Sequence, residues 1–162
     1  MKPRACLLPV LAGWFLAAGV PSISLSTQAI DAALGDWKLN VAKSRYEPGP
    51  APRSQTLTYE AAGQGVRITS QTVDSRGQST LIQYTASYDG RDYRVTGGED
   101  FDTTALRRID AFTVEGTRKR GGKLVQTFTR VVSADRKVLT ITTTGTNAKG
   151  QSINNVVVYE RQ

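Results

Sequence analysis

Past Ala33, apolar and polar residues alternate with a period of two, and turn signals break the alternation at short intervals. Asp74-Ser75-Arg76-Gly77, Asp89-Gly90, Gly121-Gly122, Asp135-Arg136-Lys137 and Asn147-Ala148-Lys149-Gly150 are such breaks. The runs between them are rich in Thr, Val, Ile and Tyr, which suit a pleated, half-buried surface. This pattern predicts strands at 36–39, 55–61, 66–73, 80–88, 93–96, 104–109, 113–120, 123–132, 138–146 and 152–160. No sustained helical period appears there. Residues 43–46 allow one helical turn, after which Pro48-Gly49-Pro50-Ala51-Pro52 forbids helix and central strand alike. Short antiparallel strands with regular turns indicate a barrel or a sandwich.

Alternation also assigns faces. Ile82, Tyr84, Ala86 and Tyr88 share one side of their strand; Val66 and Ile68 oppose Arg67 and Thr69. Ile153, Asn155, Val157 and Tyr159 form one face of the last strand, and Leu124, Gln126, Phe128, Arg130 and Val132 one face of the eighth. The large apolar residues place these sets inside a single curved sheet that closes on itself. Many of the inner positions are polar. Such an interior needs water or a polar ligand to satisfy it.

The N-terminal segment follows different rules. Lys2 and Arg4 precede an apolar run over residues 5–20 that Pro9 and Gly13 interrupt, and Thr27-Gln28-Ala29 supplies a small-residue cleavage triplet. The order of charge, apolar run and small residues is that of a secretory signal peptide, and the run is short and broken for a spanning helix. The domains expected are therefore a signal peptide over 1–29 and one barrel over 30–162, in a periplasmic or secreted protein. Cleavage there removes Cys6, the only cysteine, so the mature chain must hold together without disulfides.

The chain has 162 residues, a net charge of +7 and no histidine. Missing histidine removes Ser-His and Cys-His nucleophile pairs, and with them zinc and haem sites built on His. No spacing rule locates paired carboxylates across distant strands, so the chain is not expected to be an enzyme. Glu99, Asp100 and Asp102 lack the ligand series of a calcium loop and read as a solvated loop. Arg118-Lys119-Arg120 and Lys123 flank Gly121-Gly122 and read as a charged hairpin tip that aids solubility. Thr140, Thr142 and Thr144 read as one half of cross-strand threonine pairs.

Gly35-Asp36-Trp37-Lys38-Leu39 opens the mature domain and Val158-Tyr159-Glu160-Arg161 closes it. Gly98-Glu99-Asp100-Phe101-Asp102-Thr103-Thr104 and Lys123-Leu124-Val125-Gln126 lie between them, in that order. These stretches resemble the lipocalin and fatty-acid-binding-protein superfamily, and the whole mature chain resembles its exported bacterial lipocalin-like members, whose function is generally unassigned. The resemblance implies an all-β fold, a single antiparallel up-and-down barrel of about 8–10 strands. It implies that Trp37 plugs the closed end beneath an arginine. Two features depart from the fatty-acid-binding branch. The 40–54 segment is too short and proline-rich for that branch's helical lid, and Val157 stands where its last-strand Arg-x-Tyr pair has arginine.

The function expected is small-molecule binding, with an apolar or amphiphilic ligand held in the barrel. The alternative is a cell-envelope structural or interaction protein with a filled barrel. Tyr84, Phe128, Arg130 and Tyr159 are the candidate ligand-binding residues. Tyr84 and Phe128 would supply apolar walls. A buried Arg130 cannot shed its proton and needs a partner. That partner is either the face of Trp37, which makes Arg130 structural, or a ligand's acidic head, with Tyr159 giving a second hydrogen bond. No metal, cofactor, nucleic acid or membrane span in the mature chain is expected, and the protein is expected to be a monomer.

Overall fold

The computed structural model describes residues 30–162, so the leader assigned to residues 1–29 lies outside the described residues. Ten strands run in chain order: β1 (Gly35–Leu39), β2 (Ser54–Ala62), β3 (Gly65–Val73), β4 (Ser79–Ser87), β5 (Tyr93–Thr96), β6 (Thr103–Arg108), β7 (Thr113–Arg120), β8 (Lys123–Val132), β9 (Val138–Thr146) and β10 (Ser152–Arg161). Every neighbour is antiparallel and next in sequence. The ladder closes where β1 pairs with β10 through Trp37↔Arg161, Lys38↔Glu160 and Leu39↔Tyr159. Closure pairs every strand with two neighbours, although β5 is held to β4 and to β6 by only two residue pairs each. Among the described residues the one helix is a short 3-10 turn (Val41–Lys43), which shares Lys43 with the residues allowed a helical turn by the sequence; Asn40 Oδ1 caps it by accepting from the Lys43 N–H.

Strand ends match the alternation to within a residue or so, and the inner faces are those the pattern assigns. Val66, Ile68, Ala86, Phe128, Val132, Leu139, Val157 and Tyr159 are all buried. Leu124 is the exception at 58 % exposed. The β7–β8 register shifts between Arg118 and Lys119, so Leu124 lies opposite Lys119. Cross-strand partners share a face, and Lys119 is on the outer one; the extra residue of the bulge therefore turns Leu124 out of the barrel.

Loops at the two ends differ. At one end the segment 30–34 crosses beneath the strands, with Ala32 and Ala33 buried, and closes the barrel. At the other, the proline segment, the 97–102 loop and the β3–β4, β7–β8 and β9–β10 turns surround a mouth. Gly65 on β3 shows how tightly the wall is built. A Cβ there would lie 2.1 Å from the Ala86 carbonyl oxygen, a backbone atom that cannot swing away. Gly65→Ala is expected to lower stability by about 1–3 kcal/mol, measured by urea unfolding, as overpacking does.

Candidate functional site

Arg130 projects inward from β8 and is buried at the closed end. Its Nη2 donates to both carboxylate oxygens of Asp31, at 2.8 and 3.0 Å. Asp31 also accepts hydrogen bonds from the Tyr88 hydroxyl and from the Ala33 N–H. Burial alone would raise the Asp31 carboxyl. The Arg130 charge and those hydrogen bonds outweigh it and hold the group below its ordinary 3.8. The guanidinium also lies 5.2 Å above the Tyr59 ring. The acid that meets Arg130 is thus supplied by the chain itself. Trp37 is fully buried nearby, but the cation on its face is Arg161, at 4.2 Å.

Farther up the barrel lies an internal cavity of about 220 Å³. Leu57, Ile68, Ile82, Ile141 and Val157 give it apolar walls, and Tyr84 and Tyr159 line it as well. Phe128 and Arg130 are not among its lining residues. The cation in this cavity is Arg118, from β7. Val114 is buried on the same strand, and a period of two carries its inner face through Gly116 to Arg118. The sequence held that signal, but grouping Arg118 with Lys119 and Arg120 as a hairpin tip hid it.

Arg118 is clamped between two rings, with its guanidinium carbon 4.5 Å from the Phe101 centroid and 4.6 Å from that of Phe128. Gly116 makes this possible. A Cβ at that position would lie 2.2 Å from Phe128 Cζ, so only a glycine lets the ring lie across β7 behind the guanidinium. Phe101 comes from the 97–102 loop, which two carboxylates fasten to neighbouring turns. Asp100 accepts from the Ala148 N–H at 2.7 Å and Asp102 from the Gly121 N–H at 2.7 Å.

The polar groups of the interior are unevenly satisfied. Tyr159 donates to Gln55 Oε1 at 2.7 Å, and Gln55 Nε2 donates to the Ser70 hydroxyl. Arg118 Nη1 donates to Gln126 Oε1 at 3.0 Å, and Gln126 Nε2 to the Thr146 carbonyl. Two buried atoms on this lining have no partner, the Tyr46 hydroxyl and Arg118 Nε. Burial pushes Tyr46 up to about 12 and Tyr159 well above its usual range. Burial also raises Tyr84, opposed by the charges of Arg118 and Arg130. These phenols therefore stay protonated, and Tyr159 gives its hydrogen to Gln55. The interior combines an apolar space, neutral donors and one cation whose bonds are to a neutral amide.

A larger concavity, about 470 Å³, lies on the outer surface over β6 to β9. Its walls include Thr117, Thr127, Thr129, Thr142 and Thr144, and Thr127 and Thr144 meet across the strands with their hydroxyls 3.1 Å apart. This is the cross-strand pairing expected of the β9 threonines. Among the described residues, no three His, Cys, Asp or Glu side chains gather into a metal-binding group, and no helix is long and apolar enough to cross a membrane.

No family model and no curated protein matches the chain. Solved structures do match the chain, among them the following two. One is the zebrafish ileal bile acid-binding protein complexed with cholic acid, 15 % identical, with a TM-score of 0.49, over 82 % of this chain and all of that one. The other is the siderocalin Ex-FABP, 10 % identical, with a TM-score of 0.36, over 82 % of this chain and 75 % of that one.

Proposed function

We propose that this chain, a closed ten-strand antiparallel barrel, is an exported protein that binds a small apolar or amphiphilic molecule inside the barrel. The observation that carries this reading is the internal cavity with two buried polar atoms, Tyr46 Oη and Arg118 Nε, that no protein group satisfies. A buried donor without an acceptor costs about 1–3 kcal/mol, and a ligand that supplies the acceptor recovers that cost. The apolar walls set the rest of the ligand's character.

Export rests on the tripartite leader, with the mature chain starting near Ile30 in the periplasm or outside the cell. Ile30 is 75 % exposed, while Asp31 beside it is anchored in the closed end. N-terminal sequencing of the exported form is expected to begin near Ile30; recovery of Met1 or Lys2 counts against cleavage. Native mass spectrometry of protein purified gently from the exporting host tests the binding. A mass excess of one small molecule per chain is expected. A bare chain favours instead an envelope protein with a filled barrel.

A further inference from the structure

We infer that the occupant of the cavity is a compact monocarboxylate of benzoate size, held by Arg118, and not a long-chain or multi-ring amphiphile. This inference rests on the interior-binding reading and specifies its ligand class.

Volume sets the first limit. The cavity measures about 220 Å³. A dry protein cavity of about 150 Å³ already admits benzene, so this one holds a single ring, or a short branched chain, with one small substituent. Pockets that enclose drug-sized ligands begin near about 300 Å³.

Charge sets the second. Two interior arginines have opposite fates. Arg130 is neutralised by Asp31 within hydrogen-bond distance. Arg118 forms no ion pair among the described residues; its acceptor is the neutral amide of Gln126, and its Nε–H is buried and unmet. The Phe101 and Phe128 rings both pack against the guanidinium, whose N–H groups point along its edge, where an anion is met. Asp100 is the carboxylate of this chain on the cavity lining, and its Oδ1 is turned to the Ala148 N–H. A ligand carboxylate at the edge of Arg118 would satisfy Nε and pair with the cation.

Calorimetric titration of the full mature protein with benzoate, phenylacetate, benzyl alcohol, oleate and cholate tests the inference, beside the native mass spectrum described above. Benzoate or phenylacetate is expected to bind one per chain. Benzyl alcohol should bind about ten- to hundredfold more weakly, the loss of a charge-assisted hydrogen bond, and oleate and cholate should not bind. Arg118→Met should weaken benzoate by a similar factor and leave benzyl alcohol unchanged, and Arg118→Lys should restore part of the acid preference. The comparison of benzoate with benzyl alcohol on the unmodified protein decides the anchor even if Arg118→Met does not fold. Equal affinity for the acid and the alcohol overturns the role of Arg118. Oleate or cholate binding as tightly as benzoate overturns the size class and leaves interior binding standing. If no probe binds, the class is overturned; the native spectrum then shows whether interior binding falls with it.

Discussion

Asp31→Asn is expected to lower stability by about 3–5 kcal/mol, seen as a drop in urea midpoint with an unchanged slope. Asn is close to Asp in shape and its oxygen still accepts the Ala33 N–H, but its amide NH2 replaces the oxygen that takes the Tyr88 hydroxyl and the second Arg130 bond, so the substitution removes the charge and one acceptor. What it leaves behind is a guanidinium whose side chain is 4 % exposed and which cannot deprotonate. Arg130 Nε already has no acceptor, so the residue has no reserve partner. Arg130→Met should also be costly, because it leaves the Asp31 carboxylate buried against Tyr88. The double substitution should cost clearly less than the sum, since each single change orphans a charge that the double change removes. The effect depends on pH in a definite direction. The folded-state pKa of Asp31 lies below the ordinary 3.8, so its contribution is complete above that value and is lost as pH falls through the depressed one. The gap between the unmodified protein and Asp31→Asn should therefore be flat from neutral pH down to about pH 5 and should narrow below about pH 4. A loss below about 1 kcal/mol at neutral pH would show that Asp31 does not hold Arg130.

The contrast between Arg130 and Arg118 explains which parts of the interior the sequence could reveal. Strand limits and inner faces follow from a local rule: side chains alternate, and large apolar residues turn inward. That rule placed Arg130 inside, from its neighbours Phe128 and Val132. It says nothing about partners, because Asp31 lies 99 positions away in a segment with no strand period. The arginine over Trp37 was hidden for a related reason. Trp37 and Arg161 face each other only when the first strand pairs with the last, and that register is a property of the closed barrel. Local reading also failed at the β7–β8 hairpin. Three basic residues in a row look like a solvated tip, yet parity from Val114 puts the first of them in the cavity. Six positions after Arg118, the bulge inverts parity and sends Leu124 outward. A bulge depends on backbone hydrogen bonding between strands, which the residue pattern of either strand does not encode. Phe101 was also beyond reach. Its loop has no period, and it comes to lie on Arg118 because Asp100 and Asp102 bind turns that are distant in sequence.

Trp37→Ala is expected to cost about 3–5 kcal/mol, the range for truncating a buried indole. The ring is fully buried on β1, with Leu57 of β2 as its partner on one side and Arg161 of β10 on the other. Three contributions are lost together. The first is the packing of the indole and the cavity it leaves. The second is the hydrogen bond from Nε1 to the Ala33 carbonyl, 2.7 Å long, which ties β1 to the 30–34 crossing. The third is the surface on which Arg161 lies, worth about 0.5–2 kcal/mol for a desolvated cation over an indole. Arg161 itself donates to the carbonyls of Leu34, Ala32 and Arg136, so it clamps the same crossing from the other side. Trp37→Phe separates these contributions, because it keeps a ring under Arg161 and removes the N–H. It should cost less than alanine, though still about 1–3 kcal/mol for the carbonyl left unpaired. Both variants are best followed by circular dichroism, since Trp37 is the only tryptophan after residue 29. A loss below about 1 kcal/mol for alanine would mean the indole does not hold the closed end. The 30–34 crossing also carries Asp31, so Trp37→Ala should let water reach the Asp31–Arg130 pair. Combined with Asp31→Asn it should then cost less than the two changes added separately, because a hydrated guanidinium no longer needs its carboxylate.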